Sequence, residues 1–207
     1  MTAAAPARRA LWRAVFALTG GLRVEGDVPA GPCVVVANHS SHADTAALLA
    51  ALHARTRPGV AAAADYWFGS RLRTIACRAL VGAFPVRRDG GGGADLLATS
   101  DVVRSGRIVI VYPEGTRSRD GGLGRFRSGA ARLAGRAGVP LVPVAIVGTR
   151  DLLPVHGRLR RTAVRVRFGA PTHEIAAARI QIQVMLGLSH SSSPSGRYFR
   201  RAEIGQS

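Results

Sequence analysis

Asn38, His39 and Asp44 fall within the stretch VVVANHSSHADT, residues 34–45, where an apolar β-branched run gives way to an imidazole and, five residues on, a carboxylate. Histidine titrates near neutrality, so an imidazole held by a carboxylate on one nitrogen can take a proton with the other. In one continuous helix a separation of five would put the two side chains on different faces. The pairing therefore requires a turn through Ser40 and Ser41 that folds His39 back, with the helix starting after it. Two other readings use the same residues. His39 could end a strand while Asp44 caps the next helix through its first amides, or His39, His42 and Asp44 could ligate a metal. No further ligand cluster is evident along the chain, and no metal is expected.

A second cluster, VYPEGTRSR at residues 111–119, also follows an apolar run and carries Glu114, Gly115, Thr116 and Arg117. Glycine permits a tight turn that exposes backbone amides, threonine adds a hydroxyl, and the planar guanidinium fork suits phosphate. These parts fit an anionic acceptor. An ordinary strand-to-loop turn with a Glu114–Arg117 ion pair would use the same four residues.

The elements that must position these clusters are short apolar runs alternating with alanine-rich segments. Strands are expected at 33–37, 60–64, 83–86, 107–112, 141–147 and 163–168, and helices at 43–54, 68–81, 94–105 and 128–137. Such alternation predicts a single α/β domain with a mostly parallel sheet flanked by helices. In sheets of this class ligands bind beyond the carboxyl ends of the strands, where both clusters fall. At the start, Leu11, Val15 and Leu18 form one helical stripe bordered by Trp12 and Phe16, with Arg9 and Arg13 facing away. This amphipathic helix can lie in a bilayer interface or pack on its own domain. The boundaries expected are 1–22 for a membrane-associating helix, 23–175 for the catalytic domain, and 176–207 for a divergent, partly disordered C-terminal segment. The four glycines of DGGGGAD, 89–95, do not follow a nucleotide-binding spacing and read as a flexible connection.

Together, NHSSHAD and PEGTR, about seventy residues apart, resemble the glycerophospholipid acyltransferases, whose best-known members are the 1-acylglycerol-3-phosphate acyltransferases. Asn38, His39 and Asp44 match that family's first motif, and Pro113 to Arg117 its third, with Tyr112 in place of phenylalanine. GAFPVRR resembles the second motif and puts its arginine at Arg88, with Pro85 and Arg87 departing from the pattern. VPLVPVAI, 139–146, resembles the fourth. The resemblance runs from about residue 24 to about residue 171. It implies transfer of a fatty acyl group from acyl-CoA or acyl carrier protein to the hydroxyl of lysophosphatidate. It further implies His39 as general base, Asp44 as its orienting partner, and Arg88, Glu114, Gly115, Thr116 and Arg117 around the acceptor's phosphate. No cofactor is implied beyond the thioester co-substrate. No Gly-x-Ser-x-Gly elbow occurs, and a thioester needs no covalent enzyme intermediate.

The charge balance agrees with anionic partners. Arginine supplies all 29 basic residues against 12 acidic ones, a formal net charge of +17. Aromatic content of 5% argues against base stacking, and no nucleic-acid partner is expected. No apolar run reaches the ~18–20 residues of a spanning helix. The expected location is therefore peripheral, on the cytoplasmic face of the cell membrane, with a lysophospholipid and an acyl thioester as small-molecule partners. Cys33 and Cys77 read as inert reduced thiols. Alternating Arg165 and Arg167 would give their strand one basic face. The alternatives are the same chemistry on another lysolipid or a glycolipid, and a non-catalytic basic module that binds membrane or nucleic acid.

Overall fold

The structure, a computed structural model, is described for residues 4–63, 71–86, 92–118, 120–154 and 158–187. In chain order the elements are α1 (Ala4–Thr19), β1 (Leu22–Glu25), β2 (Cys33–Ala37), α2 (Ala43–Ala51), a 3-10 turn (Ala54–Thr56), β3 (Gly59–Ala63), α3 (Arg71–Val81) and β4 (Phe84–Val86). There follow α4 (Gly92–Leu97), α5 (Ser100–Arg104), β5 (Ile108–Val111), α6 (Gly129–Ala137), β6 (Leu141–Val147), α7 (Thr149–Leu152), β7 (Val164–Phe168) and α8 (Ile175–Met185).

Seven strands form one sheet in the order β1-β7-β6-β2-β5-β3-β4. β2, β3, β4, β5 and β6 run parallel. β7 is antiparallel to β6, and β1 is parallel to β7. This is the expected α/β domain with a mostly parallel sheet. β2 sits between β6 and β5, and all five of its residues are buried. A strand covered on both faces needs apolar side chains on each, which is why CVVVA reads as an unbroken run rather than an alternation. Val35 and Ala37 join the layer of α1 and α2 on one face, while Val34 and Val36 join the layer of α6 and α8 on the other.

Several expected elements are corrected. Residues 94–105 form two helices, α4 and α5, because the Thr99 hydroxyl turns back onto the Leu96 carbonyl at 2.6 Å and competes with helical bonding there. The segment 43–54 gives a helix only to Ala51, followed by the 3-10 turn. The part of the expected helix 68–81 before Arg71, and the first two residues of the glycine run, lie outside the described residues, while Gly92 and Gly93, expected in a flexible connection, open α4. β1 was not expected, since only Leu22 and Val24 mark it, and it shows that residue 22 already belongs to the sheet.

The C-terminal segment is also corrected. Ile175–Met185 is a helix, with Ala178 and Ile182, four apart, buried against the core. The alternation IQIQ hid this period of four. Residues 188–207 lie outside the described residues.

In α1 the residues bordering the apolar stripe face the core, and the stripe itself faces outward at Leu11 and Leu18. Ala5, Arg8 and Phe16 are buried, and Trp12 packs against the core and donates from Nε1 to the Leu80 carbonyl at 2.9 Å. Leu11 and Leu18 face outward, Leu18 with 75% of its surface exposed.

Candidate active site

β2 ends at Ala37, and the chain stays pinned for one more residue. The Asn38 amide donates from Nδ2 to the Ile146 carbonyl at 3.0 Å and accepts from the Ile146 N–H at 2.8 Å. That side chain replaces a sheet rung where β2 leaves β6. The backbone then turns through Ser40 and Ser41 before α2 begins at Ala43.

Asp44, in the first turn of α2, gathers this turn around one oxygen. Its Oδ2 accepts from the backbone N–H groups of Ser40 at 2.7 Å and Ser41 at 2.8 Å, and lies 2.8 Å from Nδ1 of His39. The histidine-pairing reading of Asp44 is the one present: the amides it accepts from belong to the turn before α2 and not to that helix. With Asp44 accepting, Nδ1 of His39 carries the proton and Nε2 is left as a lone-pair acceptor. The Asp44 side chain is fully buried, whereas that of His39 keeps 20% of its surface exposed. A partly exposed ring oriented by a buried carboxylate can take a proton from an incoming hydroxyl.

The second cluster closes over the first. Glu114 Oε1 accepts from the His39 N–H at 3.0 Å, and Ser118 N–H donates to the His39 carbonyl at 2.7 Å. Glu114 Oε2 accepts from the Gly124 N–H at 2.9 Å. A Cβ on Gly124 would come 2.9 Å from that oxygen, so the approach needs a glycine. Glu114 therefore fastens the turn at His39 to the segment around Gly124, and both its oxygens face amides. Gly115 takes φ of 75°, which glycine adopts without steric cost, and places its Cα beneath the Arg127 guanidinium. Thr116, Ser118, Arg125 and Arg127 line an open pocket of about 520 Å³ that starts at Glu114. Arg117 Nη1 lies 2.5 Å from Nε2 of His42. Burial lowers the pKa of His42, as do the charges of Arg117 and then His39, while Asp44 opposes them. A neutral His42 accepts the Arg117 hydrogen bond and holds the guanidinium toward the catalytic turn.

Residues 21–147, more than half of the chain, match the acyltransferase family. The chain belongs to that family. This acyltransferase-family chain is 33% identical over 69% of its length to the 1-acyl-sn-glycerol-3-phosphate acyltransferase BAT2, chloroplastic, of Brassica napus, of which it covers 41%. It is 31% identical over 76% of its length to a probable 1-acyl-sn-glycerol-3-phosphate acyltransferase of Mycoplasma pneumoniae, of which it covers 63%. It thus spans less than two thirds of either relative. The crystal structure of the 1-acyl-sn-glycerophosphate acyltransferase PlsC from Thermotoga maritima superposes with a TM-score of 0.68 at 23% identity, over 89% of this chain and 78% of that one. At that identity the likeness is one of fold.

Of the family motifs, the structure brings together His39, Asp44, Glu114, Gly115, Thr116 and Arg117. Arg88 lies outside the described residues. Among those described, no group of three or more His, Cys, Asp or Glu is placed to hold a metal. Cys33 is buried in β2 with its thiol pushed up to about 12 by burial, which makes it a poor nucleophile.

The sequence reading missed two contributors to the candidate site. Tyr112 stacks on His39 with ring centroids 4.0 Å apart at 16°, and its hydroxyl lies 2.9 Å from Oγ1 of Thr45. Burial, then the charge of Asp44, pushes its pKa well up, against the opposing Thr45 bond, so the phenol stays protonated. Arg125 and Arg127 were the second omission; only their alternation in GRFRSG hinted at a shared side.

Proposed function

We propose that the chain transfers a fatty acyl group from acyl-CoA or acyl carrier protein to the free hydroxyl of 1-acylglycerol-3-phosphate. The observation that carries this reading is the His39–Asp44 pair at 2.8 Å, with a partly exposed imidazole and both backbone groups of His39 held by the PEGTR segment and its successor. The names of the relatives support the same acceptor.

In this mechanism Nε2 of His39 removes the acceptor hydroxyl proton as the oxygen attacks the thioester carbonyl. Asp44 stabilises the imidazolium. Collapse of the tetrahedral intermediate breaks the C–S bond, and the imidazolium returns its proton to the leaving thiolate. The products are the ester and free thiol, with no acyl-enzyme. Arg117, Arg125 and Arg127 supply positive charge for the acceptor's phosphate, and Glu114 shapes the site through backbone amides.

The working place proposed is the surface of the cytoplasmic leaflet, held peripherally. Among the described residues no helix is long and apolar enough to cross a membrane. Leu11 and Leu18, seven apart on one side of α1, are exposed, an apolar stripe suited to an interface.

The test is incubation with oleoyl-CoA and a panel of lysolipids, comparing wild type with His39→Ala. Transfer to lysophosphatidate should fall by ~100-fold or more in the variant. Equal transfer by both proteins would remove His39 from the mechanism, and transfer by neither would leave a binding module.

A further inference from the structure

Away from the catalytic turn, three arginines meet at the amino ends of β3 and β5. Arg8 reaches in from α1 and donates from Nη2 to the Pro58 carbonyl at 3.1 Å, immediately before β3. Arg107, immediately before β5, donates from Nε to the Arg57 carbonyl at 3.0 Å. Among the described residues, none of these three guanidinium groups is paired with a carboxylate. Arg8 is only 9% exposed, although a buried cation ordinarily has an acidic partner.

Glycines let the backbone approach these charges closely. A Cβ on Gly82 would lie 2.7 Å from Nη1 of Arg8, and one on Gly59 would lie 3.3 Å from Nη2 of Arg107. Arg57 has φ of 44°, and among the described residues it is the one non-glycine residue at positive φ. Strain of this kind gathers at functional positions. From Arg57, exposed, through Arg107, half-buried, to Arg8, buried, the cluster runs from solvent inward.

We propose that Arg8, Arg57 and Arg107 form a second anion site that takes a phosphate group, carried on a lipid headgroup or free in solution. Planar guanidinium forks match phosphate oxygens, and a doubly charged anion relieves the repulsion among three cations. That repulsion is visible in the protonation equilibria. Burial, then the charge of Arg107, lowers the pKa of Arg8; burial, then the charge of Arg57, lowers that of Arg107. The site is separate from the catalytic one, because Arg107 and Tyr112 stand at opposite ends of β5, about 16 Å apart at ~3.3 Å per residue. It does not depend on the proposed reaction.

The deciding experiment is thermal unfolding of the full chain in about 10 mM sodium phosphate against sodium chloride of matched ionic strength. Compared are wild type, Arg57→Gln/Arg107→Gln, the exposed charge-matched control Arg132→Gln/Arg136→Gln, and Arg117→Ala. Phosphate is expected to raise the Tm of wild type, the control and Arg117→Ala by about 2–4 °C and to leave Arg57→Gln/Arg107→Gln unmoved. No rise in wild type, an undiminished rise in Arg57→Gln/Arg107→Gln, or an equal loss in the control overturns the site. Flotation with vesicles of phosphatidylcholine alone or with about 20% phosphatidylglycerol then separates the sources. Selective loss of anionic-vesicle binding in Arg57→Gln/Arg107→Gln assigns a lipid headgroup, and unchanged vesicle binding assigns free phosphate.

Discussion

At the scale of single residues, the imidazole of His39 is fixed in three directions. Asp44 holds its edge, Tyr112 covers one face, and Glu114 and Ser118 hold its backbone. Tyr112 stands where the family has phenylalanine, so the ring is the shared part and the hydroxyl bond to Thr45 an addition. Tyr112→Phe is expected to keep the stack and most of the transfer rate. Tyr112→Ala is expected to lower kcat by up to ~100-fold with little change in acceptor KM, since misorientation of a base acts on the chemical step. A change confined to KM would place Tyr112 in acceptor binding instead. The His39–Asp44 pair was legible because both residues lie on one short turn. The role of Glu114 was not, because it depends on residues 39 and 124 arriving from separate segments.

His42 carries a second prediction at this scale. Among the described residues the charges acting on it are those of Arg117, His39 and Asp44, and its folded-state pKa lies below the ordinary ~6.5 of an unfolded imidazole. As pH falls through that value the unfolded chain takes up a proton before the folded one. Stability is therefore intact above it and lost below it until the folded pKa is reached. His42→Gln should flatten the fall in Tm between about pH 7 and pH 5 relative to wild type. An identical slope in both proteins would mean that carboxylates alone set the acid limb.

At the scale of elements, α1 divides its work between two faces. Phe16 is fully buried against the layer of α2, and Phe16→Ala should cost about 3–5 kcal/mol, read from denaturant midpoints. Leu11→Glu/Leu18→Glu alters only exposed positions, so it should leave the midpoint in place and weaken binding to phospholipid vesicles. Equal vesicle binding would move the docking face off this helix. Periodicity alone left both roles open, because Trp12 and Phe16 border the Leu11, Val15 and Leu18 stripe in one broad apolar arc and the register of burial is decided by what α2 and α3 offer. The same limit explains α8: the alternating IQIQ was compatible with a strand, and only contact with β6 and α6 selects the helical period. β2, β5 and β6 were legible because strands buried on both faces leave unbroken apolar runs.

At the scale of the whole molecule, the +17 charge is spread over surfaces with different tasks. Arg117, Arg125 and Arg127 lie at the catalytic edge and Arg8, Arg57 and Arg107 at the opposite end of the strands. Part of the expected basic face of β7 is already engaged, since Arg167 donates to Glu25 at 2.8 Å and to the Met185 carbonyl at 2.6 Å. A charge carried on many exposed arginines attracts anionic membranes at long range, and that attraction decays over ~10 Å in 0.1 M salt and ~3 Å in 1 M. Apolar insertion of leucines, by contrast, does not weaken with salt. Retention on vesicles containing phosphatidylglycerol should therefore fall steeply as sodium chloride rises from about 0.05 to 0.5 M and level off at a residual value. On pure phosphatidylcholine the same residual should be seen at every salt concentration, and Leu11→Glu/Leu18→Glu should abolish it. Retention that fell to nothing in high salt would leave attraction by arginine as the whole of membrane binding and remove the apolar face of α1 from it.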